Sequence, residues 1–207
     1  MRWLLRHPYL CALVLGCAAM TSIRPLLRRD PAPPPELRAV PRFELVTTDG
    51  RAFGSDDLRG HVYVVNFFFT RCATICPALM RAMAALQERF REAGIDSIRL
   101  VSITADPVYD TPERLRVAQA AYGVDPSRWV LLSGAPAAIH SVAVNGFEVP
   151  LGDPAVIADG AFDLPHADQL MLVDAKGTLR GYYRSDADGL DEIFWRARHV
   201  LREAGGR

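Results

Sequence analysis

The sequence predicts an α/β domain, and three observations carry the prediction. The run HVYVVNFFF, His61–Phe69, has the continuous apolar character of a central strand covered on both faces. Shortly after it, Leu79, Met83, Leu86 and Phe90 fall at i, i+4, i+7 and i+11, which is one face of a helix. Strand-like and helix-like stretches then follow one another to the end of the chain, as in a sheet with helices packed on it.

Taken in order, FELVTTDGRAF reads as a strand, a turn at Asp49-Gly50 and a second short strand. GSDDLRG is a turn leading into the central strand. Pro77 belongs in the first turn of the next helix, because deeper inside its ring would clash and a hydrogen bond would be lost. Gly94 closes that helix, and SIRLVSIT, Ser97–Thr104, is the following strand. DTPERLRVAQAAYG carries its own punctuation: Thr111 as N-cap, Pro112 at the first helical position, Glu113 in the first turn and Gly123 at the end. WVLLSG is a strand and APAAIHSVAVNGF a short helix. EVPLGDPAVIADGAFDLPH, rich in Gly and Pro, reads as a loop or an irregular hairpin. QLMLVDAKGTLRGYY is a hairpin about Lys176-Gly177. DADGLDEIFWRARHVLRE closes the chain as a helix, with Leu190, Ile193, Phe194 and Val200 toward the core. A βαβ half followed by a ββα half describes a thioredoxin-like fold, here with an N-terminal β-hairpin and an inserted helix and loop, over residues 41–207.

Two segments precede that domain. Residues 1–29 begin with Arg2 and Arg6 and are apolar from Tyr9 to Ile23, as in a secretory signal or a short membrane anchor. VLGC, ending at Cys17, also loosely resembles a lipoprotein cleavage site, with Leu15 a poor fit. Each of these readings places the domain at a membrane on the extracytoplasmic, periplasmic side. Residues 30–40 form a proline-rich linker; five prolines from Pro31 to Pro41 make an extended, semi-rigid spacer.

Half of the 207 residues are hydrophobic and the formal net charge is zero. Lys176 is the sole lysine, and the arginines are scattered rather than striped, which argues against a nucleic-acid partner. Of four cysteines, Cys11 and Cys17 lie in the N-terminal segment, so only Cys72 and Cys76 belong to the domain. A lone close pair fits redox or metal chemistry better than a disulfide scaffold.

Cys72 and Cys76 fall between the central strand and its helix. Unpaired N–H groups and the helix dipole there favour thiolate. In a first helical turn, i and i+4 put both sulfurs on one face, within reach of a disulfide or of one metal ion. The Trp-Cys-x-x-Cys of a thioredoxin-type exchanger is missing, and Thr70-Arg71-Cys72 is one residue shorter than a peroxidase's Thr-x-x-Cys. Two thiolates select soft or borderline ions, Cu(I) or Zn(II), and a third donor is then needed. Among the histidines, His7 lies in the anchor, His61 at the far end of the central strand, His140 in mid-helix as a partly buried residue, and His199 near a helix C-terminus. His166, in the loop before the hairpin that begins near Gln169, remains; position alone leaves it open between ligand and solvated side chain. Met80, Met83 and Met171 read as core residues.

FTRCATICP, DPVYDTPERL, YGVDPSRWVLLSG and HADQLMLVDAKG together resemble the Sco/SenC family, over about Pro41 to Glu203. The resemblance implies a membrane-anchored, thioredoxin-fold protein of cytochrome c oxidase copper-site assembly. It implies copper held by Cys72, Cys76 and His166, and a Cys72–Cys76 disulfide on oxidation. The family usually has proline where Ala73 stands and serine or threonine where Ala167 stands; neither replaces a ligand. Cu(II) would draw a further donor, for which Asp163, Asp168 or water are candidates. Asp106 and Asp110 match the family's acidic motif and are expected to form and cap the turn beside Thr111.

The expected function is therefore a copper metallochaperone that delivers copper to the oxidase subunit carrying the copper site, with another periplasmic copper donor as a further partner. The alternative is a thiol–disulfide oxidoreductase that reduces that subunit's cysteines, with Cys72 and Cys76 as its redox-active residues. A structural zinc module fits poorly, because ligands on a loop and a helix end make an open site.

Overall fold

The computed structural model describes residues 33–151, 155–157, 161–163 and 168–205. The expected anchor in residues 1–29 and the candidate ligand His166 lie outside them. Among the described residues no helix is long and apolar enough to cross a membrane.

Strands β1 (Arg38–Ala39), β2 (Glu44–Thr47), β3 (Ala52–Gly54), β4 (Val62–Phe68), β5 (Ile98–Thr104), β6 (Trp129–Ser133), β9 (Gln169–Val173) and β10 (Thr178–Arg184) form one sheet in the order β1-β10-β9-β4-β5-β6-β2-β3. β7 (Ala155–Ile157) and β8 (Ala161–Asp163) pair separately as an antiparallel hairpin, one of the two forms the Gly- and Pro-rich stretch allowed. Helices α1 (Cys76–Glu92), α2 (Pro112–Ala121), α3 (Pro136–Ser141) and α4 (Ala187–Glu203) complete the order, with a π-helical turn over Val142–Gly146 extending α3.

β4, β5 and β6 run parallel; on one side β9 returns antiparallel to β4, and β10 is antiparallel to β9. β4 is buried along its whole length, so its alternation separates two apolar layers. Val62, Val64 and Phe68 face α1, α2 and α4, where Leu79, Met83, Leu86, Phe90, Leu115, Ile193 and Phe194 pack on them. Tyr63, Val65 and Phe67 face the other side, against Ile139, Val142, Phe147 and Leu45. Each fully buried Leu or Phe in these layers contributes about 2 kcal/mol. Gly94, at φ +66°, takes the left-handed turn that ends α1, and Gly177, at φ +85°, turns the β9–β10 hairpin.

One polar thread runs through the helix-side layer. Trp129 Nε1 donates to Ser102 Oγ (2.9 Å), Ser102 donates to Asn66 Oδ1, and the Asn66 amide donates to Met80 Sδ (3.7 Å). These groups are fully or almost fully buried, and pairing them removes the penalty of isolated polar atoms.

The described part of the proline-rich stretch packs on the domain. Arg38 and Ala39 pair with Leu179 and Thr178 of β10. Buried Arg180 donates to the Pro34 carbonyl (2.7 Å) while pairing with Asp174 (3.2 Å) and Glu203 (2.9 Å). Prolines cannot extend a ladder, but their carbonyls still accept, and Arg180 uses one of them. Ordered packing therefore begins several residues before Pro41.

Candidate metal centre

β4 ends at Phe68, and the chain turns through Thr70–Ile75 into α1. Pro77 sits in the first turn of α1 and no acidic residue accompanies it there, so the helix itself places no negative charge beside a thiolate at that end. Ile75, at the N-cap, offers no side-chain acceptor. Cys72 fills that role: its Sγ accepts the backbone N–H of Cys76 at 3.3 Å and lies 3.6 Å from Thr74 Oγ1. Both thiols are free and buried.

The two cysteines are electrically unequal. The Cys76 thiol donates to Cys72, and the Cys76 amide and the Thr74 hydroxyl add to it; together they outweigh burial and hold Cys72 down at about 5. Cys76 is pushed well above the ordinary thiol value, because it is the donor in that bond and is desolvated beside a negative neighbour. At neutral pH the pair is one thiolate and one thiol sharing a proton. Metal binding would take that proton and leave two soft donors.

The turn carrying Cys72 is held from across the sheet. Asp110, fully buried, accepts from the Thr70 backbone N–H (3.0 Å), the Thr70 hydroxyl and the Thr104 hydroxyl (2.6 Å). Arg71 Nε pairs with Asp106 at 2.6 Å, and its guanidinium stacks over Tyr109, whose ring also lies 3.8 Å from Arg114. Thr111 caps α2 as expected, accepting from Arg114 N. Asp110 does not: it reaches back to Thr70. Asp106 does close its own turn, accepting the Asp110 N–H through its carbonyl (2.8 Å) and the Tyr109 N–H through Oδ1 (3.4 Å), while its Oδ2 takes Arg71. This clamp was not expected from the sequence, although a threonine before the cysteines and two acids after the next strand were visible.

Of the remaining candidates, Asp168 is exposed, and Asp163 is the last residue of β8. Met80, Met83 and Met171 are buried in the core. His61 precedes β4, at the end opposite the cysteines. His199 lies 3.7 Å from Glu203. His140, expected to be partly buried, is exposed, because α3 is short and turns only Ile139 inward. Among the described residues, no group of three His, Cys, Asp or Glu side chains converges as a metal cage; the geometry supplies the two sulfurs.

Residues 31–201, most of the chain, match the SCO1/SenC family model. The chain belongs to the SCO1/SenC family. A protein of Stutzerimonas stutzeri provisionally named for copper binding is 30% identical over 161 residues, covering 77% of this chain and 76% of that one. A solved SCO1/SenC family lipoprotein from Bacillus anthracis str. Ames matches with a TM-score of 0.71 at 28% identity, over 81% of this chain and 97% of that chain. BsSco, a member of the Sco family of cytochrome c oxidase assembly proteins in which a disulfide switch was identified, matches with a TM-score of 0.70 at 26% identity, over 83% and 96%. The α/β body is thus the thioredoxin-like fold of the Sco family, and its match begins ten residues before Pro41, in keeping with the pairing of β1.

Proposed function

We propose that this Sco family member is a copper metallochaperone serving cytochrome c oxidase assembly. It would hold copper on Cys72 and Cys76, with His166 as third ligand. The observation that carries the reading is the pairing of the two cysteines at the start of α1, where Cys72 Sγ already accepts from Cys76 N. Two thiolates and an imidazole suit three-coordinate Cu(I). The names of its relatives, copper-binding in one and oxidase assembly in another, support the cargo and the destination. Release to the oxidase subunit would proceed by ligand exchange, which an open site allows.

The inequality of the cysteines favours a second activity of the same pair. A low-pKa Cys72 is an attacking thiolate, and a high-pKa Cys76 is a resolving thiol. Cys72 would open a partner disulfide to form a mixed disulfide and release one partner thiolate. Cys76 would give up its proton and displace the second partner sulfur. Two electrons pass to the partner, and Cys72–Cys76 is left oxidised. The apolar N-terminal segment supports membrane attachment with the domain on the extracytoplasmic side.

One comparison separates the readings. The reduced full chain in detergent is loaded with Cu(I), and retention against a chelator is compared with His166→Ala, Cys72→Ser and Cys76→Ser. The chaperone reading expects all three to lose copper. Retention unchanged in His166→Ala, with thiol reductase activity intact, defeats it in favour of the reductase. Both activities surviving Cys72→Ser defeats the site.

A further inference from the structure

Beside the cysteines lies a groove that holding a metal does not require. It has a volume of about 380 Å³ and runs between the start of α1 and the outer face of α2. Phe69, Cys72, Cys76, Met80, Ala118 and Tyr122 line it. Its α2 wall is apolar where a solvated helix should be polar. α2 buries only Leu115 and Ala118, yet Val117 stands 71% exposed on the groove's rim and Ala121 is exposed beside it. Val108, next to the rim residue Tyr109, is 78% exposed. Val117 and Ala121, one helical turn apart on a groove that reaches the cysteines, make a contiguous apolar contact surface rather than scatter.

Apart from the Cys72 sulfur and buried Asp110 behind it, charge at the rim is positive. Arg114 lies flat on Tyr109 and donates to its carbonyl (2.6 Å), so its guanidinium is already ordered. Arg81, exposed on α1, follows one turn after Pro77, which lines the groove. The nearby acids are taken, Asp106 by Arg71 and Glu113 by Arg116. Among the described residues no carboxylate pairs with Arg81 or Arg114. The groove therefore offers an apolar floor between two cations, one of them pre-ordered, and its complement is an apolar side chain flanked by carboxylates.

We propose that this groove docks the protein that exchanges copper with Cys72 and Cys76, through a surface segment carrying an apolar side chain between acidic residues. The inference rests on the delivery reading above, because it takes that partner to be the copper acceptor. The groove is continuous with both sulfurs. A segment seated on Val117 and Ala118 would bring its own donors to the copper while the cysteines still hold it, as ligand exchange requires. The arginines would orient the approach and raise the encounter rate.

Two measurements on the full chain in detergent test this, with the apo oxidase subunit that carries the copper site as probe. In the first, backbone amide spectra are recorded as the subunit is added. Perturbations should centre on Val117, Ala121 and Tyr122; perturbations confined to other faces, or none, overturn the proposal. In the second, copper transfer rates are compared for wild type, Val117→Glu, Arg114→Glu and Arg81→Glu. Val117→Glu and Arg81→Glu should keep wild-type Cu(I) retention, Arg114→Glu is read as transfer relative to the copper it retains, and each should transfer at least tenfold more slowly at low salt. The gap for the two arginine variants should shrink as salt rises. Rates within twofold of wild type overturn the docking proposal and leave delivery standing. Docking at the groove without transfer by the wild type overturns delivery and leaves the docking surface standing.

Discussion

The Cys76 backbone N–H points at Cys72 Sγ from 3.3 Å, so the first amide of α1 is satisfied by a sulfur rather than by the usual Ser, Thr or Asp oxygen. The cap of the helix and the reactive thiolate are the same atom.

That identity sets the pH dependence of the reduced, copper-free pair. Thiolate is the form present above the pKa, and Cys72 is held at about 5. Alkylation by iodoacetamide should rise with pH through about 5, be nearly flat above 7, and label Cys72 alone. In Cys76→Ala the donated S–H is gone, and the midpoint should move up toward that of an ordinary thiol. A wild-type midpoint near 8 to 9 contradicts the inequality of the two cysteines.

Asp110 should matter to stability although it touches neither sulfur. Asp110→Ala strands the Thr70 N–H and two hydroxyls, at a cost of about 3 kcal/mol in denaturant unfolding, and should raise the Cu(I) dissociation rate because the Cys72 turn loosens. Burial is the largest influence on Asp110 and raises its pKa above 3.8. The folded state then binds the proton more tightly than the unfolded state, so this contribution is present at low pH and fades as pH climbs through the folded value. The stability of wild type relative to Asp110→Asn should accordingly decline across the acid range, and an increase would contradict the assignment.

Met80 separates packing from ligation. It lines the groove with both cysteines but is fully buried and accepts from Asn66. Met80→Leu conserves volume and should cost less than about 1.5 kcal/mol, with Cu(I) retention unchanged. A marked loss of copper in a folded Met80→Leu protein would make the thioether a ligand.

Arg180 pins residues 34–35 to the body. Arg180→Ala leaves Asp174 buried and unpaired, which should cost about 3–5 kcal/mol. It should also expose the backbone near Pro34 to limited proteolysis at a lower protease concentration than in wild type. An unchanged digestion pattern would show that β1 alone holds the segment.

The elements were legible where periodicity and punctuation agreed. β4, α1 and α2 follow from an unbroken apolar run, an i, i+4, i+7 face, and the Thr111-Pro112 start. The site was legible in half. Cys72 and Cys76 announce themselves by spacing and by the helix that follows, whereas the inequality between them depends on which sulfur receives the amide. The Asp110–Thr70 bond joins residues forty positions apart, and only the parallel pairing of β4 with β5 brings them together. β1 escaped notice because two residues between prolines carry no periodicity. The exposure of His140 was hidden because α3 is short and turns only Ile139 inward.

The Arg180 cluster bears on reach. Asp174 follows β9, whose end pairs with the start of β4, so the segment entering at Pro34 is fastened near the opposite pole of the sheet from the cysteines. Seven residues of β4 put roughly 23 Å between those poles. The attachment at Pro34 and the two sulfurs therefore stand at opposite ends of one strand, and the sheet itself fixes the distance between them.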